Sequence, residues 1–191
     1  MARLKEYNGH YCESEYEYAF IGFLEAEGWI YTSGNNISRV TKRDVLIADD
    51  FKKFIADTNP DLTEEEVTQI YDNVRLVGAE SDFATLHKVY GWMVNGVQFT
   101  SQDGLPRMIP LIDFDNWDKN IFRVVNQFTV EYTNNGQKEN RRLDVLLFVN
   151  GMPLCVVELK NPADANATIY DAWEQINIRY WRDIPHLLHY C

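Results

Sequence analysis

An α/β fold, with a mixed central β-sheet flanked by helices and a helical insertion in its first half, is what this sequence predicts. Three observations carry the expectation. Residues 14–28 repeat apolar side chains at helical spacing. Residues 43–95 hold three further helical segments, each bounded by capping or breaking residues. From residue 97 the helical period gives way to strand-like segments rich in β-branched and aromatic residues, to about residue 160, before a final helix over about 165–181.

The elements follow in order. SEYEYAFIGFLEAEGW sets Tyr16, Phe20, Phe23 and Leu24 at helical spacing, with Ser14 as the expected N-cap, Glu17 three residues on as in a capping box, and Gly28 as the stop. A short strand over 29–31 is expected next. TKRDVLIADDFKKFIAD carries apolar Val45, Leu46, Phe51, Phe54 and Ile55 and is broken by Asn59-Pro60. Thr63 opens a second segment, with Glu66 completing a capping box, and Ser81 or Asp82 caps a third. These three hold no evident chemistry and read as an insertion beside the sheet. VQFT, MIPLIDF and IFRVVNQFTVEY are strand-like, and Asn135-Gly136 is a hairpin signal. RRLDVLLFV and PLCVVELK are the next two strands, joined at Asn150-Gly151, and the unbroken apolar run of the second suits a central strand covered on both faces.

Bulk properties narrow the class. A chain of 191 residues, 46% hydrophobic, is long and apolar enough to bury one core, so a single domain over 1–191 is expected rather than a disordered segment. No apolar run reaches the roughly 18 residues of a membrane span, and the N-terminus lacks a signal-peptide pattern. Cys12, Cys155 and Cys191 are odd in number and show no motif spacing, which points to reduced thiols and a cytoplasmic setting. The net charge of −11 argues against a free-standing protein that grips DNA by charge alone. It is compatible with acidic side chains gathered around a divalent cation.

The chemistry sits in DVLLFVNGMPLCVVELKNP. Charges at the end of a buried hairpin must be paired, neutralised or metal-bound. Glu158 and Lys160 are two apart on a strand and share a face. A plain two-residue turn at Asn150-Gly151 would pair Val149 with Met152, put Asp144 opposite Val157, and send Asp144 and Glu158 to opposite faces. An odd loop or a bulge is needed to bring the carboxylates together. If they meet, they can hold a hard divalent cation, and Lys160 beside them can orient or deprotonate an attacking water or neutralise charge on a phosphate. The bland alternative is a surface Glu158–Lys160 pair at a strand end. Other candidates are weaker. His186 and His189 form H-x-x-H without further zinc ligands, Arg141 and Arg142 are either phosphate contacts or solvated arginines, and the five Trp and 11 Tyr read as core.

RRLDVLLFVNGMPLCVVELKNP resembles the nuclease core of the restriction (R) subunit of type I restriction–modification enzymes, which carries a PD-(D/E)xK nuclease domain near its N-terminus. NIFRVVNQFTVEY before it and DAWEQINIRYWRDIPHLLHYC after it resemble the family too, strongly over about 109–191 and more weakly over the helix at 14–31. The resemblance implies a type I site-specific deoxyribonuclease, cleaving double-stranded DNA with Mg2+ and without sequence readout of its own. It implies Asp144 and Glu158 as metal carboxylates, the main-chain carbonyl of Leu159 as a further ligand, Lys160 as the catalytic lysine and Glu17 as a third acidic residue. Glu17 is explained equally by its capping position. The resemblance also implies a glutamine and a tyrosine on the helix after the core. Gln175 and Tyr180 are the candidates, but they are five apart where four is expected. On an α-helix that is about 500° of rotation, so the two would not share a face; Gln175 is kept as facing the site, and Tyr180 stays open between a site role and core packing. R subunits also carry motor lobes with ATP-binding motifs and work with modification and specificity subunits. No such motifs occur here, so the chain is expected to be a fragment lacking the motor, with ATP used only by the full-length protein and a strand or two of the nuclease domain missing. The rival readings are a stand-alone PD-(D/E)xK repair-type nuclease and a non-catalytic docking domain that keeps the fold.

Overall fold

The computed structural model describes residues 6–7, 10–11, 13–78, 81–102, 104–160 and 168–191. A small antiparallel pair, β1 (Glu6–Tyr7) and β2 (His10–Tyr11), precedes helix α1 (Glu13–Ala26) and strand β3 (Ile30–Ser33). The insertion follows as α2 (Ala48–Thr58), α3 (Glu64–Arg75) and α4 (Asp82–Asn95). Next come β4 (Val97–Thr100), β5 (Pro106–Ile109), the long hairpin β6 (Phe122–Asn134) and β7 (Gln137–Val149), and β8 (Met152–Val157). The chain closes with α5 (Ile169–Glu174), a π-helical stretch (Gln175–Tyr180), α6 (Trp181–Asp183) and α7 (Pro185–Leu188). Part of the helix expected from residue 165 lies outside the described residues, as do Cys12, Asn161 and Pro162.

The central sheet is mixed, in the order β3-β6-β7-β8. β3 runs parallel to β6, from Ile30↔Arg123 to Ser33↔Asn126, and the other pairs are antiparallel. A parallel pair needs a crossover connection, usually helical. The insertion is that crossover. Its helices form where the sequence marks them: Thr63 and Glu66 make a reciprocal capping box, and the Ser81 hydroxyl accepts the Ala84 N–H.

The two sheet faces bury different clusters. On one, Leu46, Phe51, Phe54, Ile55, Ile70 and Val74 pack with Val125, Phe128, Leu146, Phe148 and Met152. On the other, Ile21 and Leu24 of α1 pack on Val124 and Val145. Each such side chain contributes about 2 kcal/mol through burial.

Four sequence expectations change here. Ser14 is not an N-cap, because α1 already begins at Glu13. The buried stripe of α1 is Glu17, Ile21 and Leu24, while Tyr16 and Phe23 are exposed. The helix touches the sheet along a narrow strip, and the strip is set by where Glu17 bonds. VQFT joins no central strand but pairs with Pro106–Ile109 in a separate two-stranded ribbon. Among the described residues β8 is an edge strand, half-buried from Leu154 on apart from the exposed Cys155, and Pro153 within it fits an edge, where a missing N–H costs no ladder bond.

The turn at Asn150-Gly151 is buried rather than exposed. Asn150 Nδ2 donates to Leu111 O and Asn120 Oδ1, Asn150 Oδ1 accepts the Ile121 N–H, and Gly151 O accepts the Ile47 N–H at 2.8 Å. Both residues have positive φ, 51° and 76°. A Cβ on Gly151 would lie 2.3 Å from Ile47 O, so only glycine fits.

Candidate nuclease site

The turn alone cannot align Asp144 with Glu158. Val149 pairs with Met152 and Phe148 with Pro153, as a two-residue loop requires. The next pair is Leu147↔Cys155, so Leu154 is an extra residue, a bulge in β8. Beyond it the register runs Leu146↔Val156 and Val145↔Val157, and one further step sets Asp144 against Glu158. Leu146 and Val156 both pack on the larger core cluster. Asp144 and Glu158, two residues beyond each, point to that same face. The parity change that the chemistry requires is present.

The two carboxylates are held differently. Asp144 Oδ2 accepts the main-chain N–H of Leu159 at 3.0 Å. Glu158 keeps only 3% of its side chain exposed. Its Oε1 accepts Lys160 Nζ at 2.9 Å and Gln175 Nε2 at 2.6 Å, and its Oε2 accepts the Tyr180 hydroxyl at 2.8 Å. Gln175 closes the ring: its Oε1 accepts Lys160 Nζ at 3.1 Å, and its Nε2 donates to the Tyr180 oxygen at 2.7 Å. Burial pushes the Glu158 carboxyl above its ordinary range. Its bond from Lys160 opposes that, and the charge of Asp144 adds to it. Burial likewise raises the Tyr180 hydroxyl well above the usual phenol value.

Tyr180 therefore belongs to the network, against the α-helical rotation expected from sequence. The reason is local backbone. Residues 175–180 wind as a π-helix, whose i→i+5 bonds stack residues five apart. Gln175 and Tyr180 then share a face and both reach Glu158. Tyr180, 1% exposed, is core packing at the same time.

Glu17 is buried on α1, on the other side of the sheet. Asn126 Nδ2 donates to its Oε1 at 2.7 Å and Gln127 Nε2 to its Oε2 at 2.8 Å, while Asn126 Oδ1 accepts the Tyr31 hydroxyl at 3.1 Å. It is not a capping-box side chain. Gln127 stands between the pairs Asn126↔Val145 and Phe128↔Leu143, opposite Asp144, and has φ of 53°. A left-handed residue inside a strand is uncommon. Glu17 thus clamps the strand position that faces Asp144, through residues that sequence reading missed. The available signal was two adjacent polar residues, Asn126-Gln127, inside an apolar strand.

The remaining candidates divide: Arg141 and Arg142 line a cavity of about 150 Å3 together with Gln175 and Tyr180, while the two histidines do not line it. Arg141 pairs with Asp183 at 2.5 Å, and Arg142 is exposed. His189 Nε2 meets Asp82 Oδ1 at 2.8 Å, while His186 Nε2 is buried without a partner among the described residues, so the H-x-x-H residues do not act together. Among the described residues no group of three or more His, Cys, Asp or Glu side chains is placed to hold a metal. Cys155 and Cys191 are free thiols.

The family model for the type I restriction enzyme R protein N terminus matches residues 11–191. The chain belongs to this family. Among curated R-type relatives it is 35% identical over 185 residues to a putative type I restriction enzyme MjaIXP endonuclease subunit of Methanocaldococcus jannaschii, covering 92% of this chain. It is 29% identical over 192 residues to the type I restriction enzyme HindI endonuclease subunit of Haemophilus influenzae, covering 93%. In both cases it spans 17% of the relative's length. In this chain the mixed sheet ends in an Asp, a Glu and a Lys beside a Gln–Tyr pair, one of its covered charge clusters together with Asp50–Arg123.

Proposed function

We propose that this chain is the metal-dependent endonuclease domain of a type I restriction R subunit, hydrolysing phosphodiester bonds of double-stranded DNA without sequence readout of its own. The observation that carries this reading is the closed network on Glu158, set on the same sheet face as Asp144 by the Leu154 bulge. Two carboxylates with the main-chain carbonyl of Leu159 are a donor set that suits a small hard cation completing its shell with water and phosphate oxygens, so the residues fit Mg2+. A bound Mg2+ would supply Lewis-acid stabilisation of charge on the phosphate. Lys160, tied to Glu158 and Gln175, holds its ammonium where an attacking water can be oriented and negative charge neutralised. Gln175 and Tyr180 fix the carboxylate that Lys160 leans on. Modification and specificity subunits would supply recognition, and a motor outside these residues would use ATP.

The test is Mg2+ titration of the chain, followed by backbone amide NMR. Resonances of Asp144, Glu158, Leu159 and Lys160 should move saturably, and should stay still in Asp144→Asn. If neither Mg2+ nor Mn2+ moves them, the docking-domain reading takes its place.

A further inference from the structure

At the other end of the sheet, where α1 gives way to β3 and β6 begins, four aromatic rings form a chain. Phe114 and Trp117 have centroids 6.1 Å apart, Trp117 stands edge-on to Phe122 at 5.6 Å and 89°, and Phe122 lies 5.2 Å from Trp29. Trp29, Trp117 and Phe122 line a cleft of about 600 Å3, together with Glu27 and Asp118. Phe114 and Trp117 are 61% and 55% exposed. Phe122 is five residues along β6 from Gln127, roughly 17 Å from the Glu158 side of the sheet.

Ring faces carry negative potential and attract cations. Elsewhere the chain serves its own rings, with the Arg39 guanidinium 4.0 Å from the centre of Phe128 and Lys88 Nζ 5.1 Å from that of Trp92. Among the described residues no Lys or Arg lies over Phe114, Trp117, Phe122 or Trp29. The nearby Lys119 turns to Asp113 at 3.6 Å. Two carboxylates on the rim add attraction of the same sign and repel a phosphate backbone, which separates this cleft from a base-stacking platform.

We propose that this cleft receives a basic side chain, a guanidinium or ammonium presented by a protein segment packed on this end of the domain. The acidic rim supplies the charge complementarity. In the two curated relatives the matched region is 17% of the polypeptide, so protein able to carry such a side chain adjoins it. The proposal is independent of the nuclease reading, since its readout is not cleavage.

The test uses the chain with 15N-labelled indoles, five in all. It is titrated with a Gly-Arg-Gly peptide, with the same peptide carrying citrulline in place of arginine, and with a single-stranded oligothymidine. The arginine peptide should shift the Trp29 and Trp117 indole resonances saturably and leave those of Trp92, Trp173 and Trp181 still. The neutral citrulline peptide should bind at least about tenfold more weakly, as should the arginine peptide to the double variant Glu27→Gln, Asp118→Asn, whose exposed substitutions leave the fold intact. Equal binding of arginine and citrulline peptides would overturn the proposal. So would uniform movement of all five indoles, or a stronger response to the oligothymidine.

Discussion

At the scale of the residue, Lys160 is the side chain on which the proposed chemistry turns. Its side chain is three-quarters covered, and its ammonium is bonded to both Glu158 and Gln175. In the full-length enzyme Lys160→Ala should lower DNA cleavage at least about 100-fold, near 2.7 kcal/mol of barrier. On the proposed reading, ATP hydrolysis and DNA binding should persist, because parts outside these residues would carry them. Thermal unfolding of the variant chain should show a loss of about 1–2 kcal/mol, since the nearly buried Glu158 keeps its Gln175 and Tyr180 donors but loses its cation. A folded variant that cuts plasmid at the wild-type rate would remove Lys160 from the site. Asp144, Glu158 and Lys160 were legible in the residues themselves, because charged groups at the end of an apolar run violate the ordinary burial rule, whereas Gln175, uncharged and on the last helix, was named only through the family resemblance. Glu17 was named as a third acidic residue only through the resemblance, and by spacing alone it read as a helix cap. What holds it, Asn126 and Gln127, depends on a left-handed strand residue that no spacing rule announces.

At the scale of the element, the final helix departs from regularity where it meets the site. Deleting Asn177, whose side-chain amide donates to the Trp173 carbonyl within its own helix, should convert the π-helical stretch to α-helix. The pair would then be four apart and still share a face. The chain should unfold within about 1 kcal/mol of wild type, whereas inserting an alanine after Asn177 should cost several-fold more. A deletion that unfolds the domain would show that the stretch has another cause. The same helix is pinned to β7 by Asp183, whose carboxyl is held below the usual range by Arg182, against its burial, and further by Arg141. Stability from a depressed carboxyl is present above its unfolded value, about 3.9, and is lost as pH falls through the lower folded value. Asp183→Asn should therefore cost about 1–3 kcal/mol in urea unfolding at pH 7, and the gap should close toward pH 2. Helix caps at Thr63 and Ser81 were legible because they are local signals. The β8 bulge was legible as a requirement but not as a place, because a bulge is chosen by the packing of both strands.

At the scale of the whole molecule, charge separates catalysis from grip. A net charge of −11 leaves little to neutralise phosphates. The 191-residue chain with Mg2+ should give no more than trace nicking of supercoiled plasmid at physiological salt, while low salt should raise it. Robust cleavage at physiological salt would show that the domain grips DNA unaided. The architecture was legible in outline, since a parallel strand pair split by an insertion shows as a change of period. That residues 97–109 would form their own ribbon was not, because strand propensity says nothing about which partner a strand takes.

The buried turn at Asn150-Gly151 also orders events in time. The Ile47 N–H at the head of α2 closes on Gly151 O, a partner made long after it on the ribosome. The helical crossover cannot reach its final seat until the last hairpin of the sheet has been synthesised and folded. Until then its apolar face waits for a surface that does not yet exist, which makes this stretch the part of the nascent chain most in need of shelter.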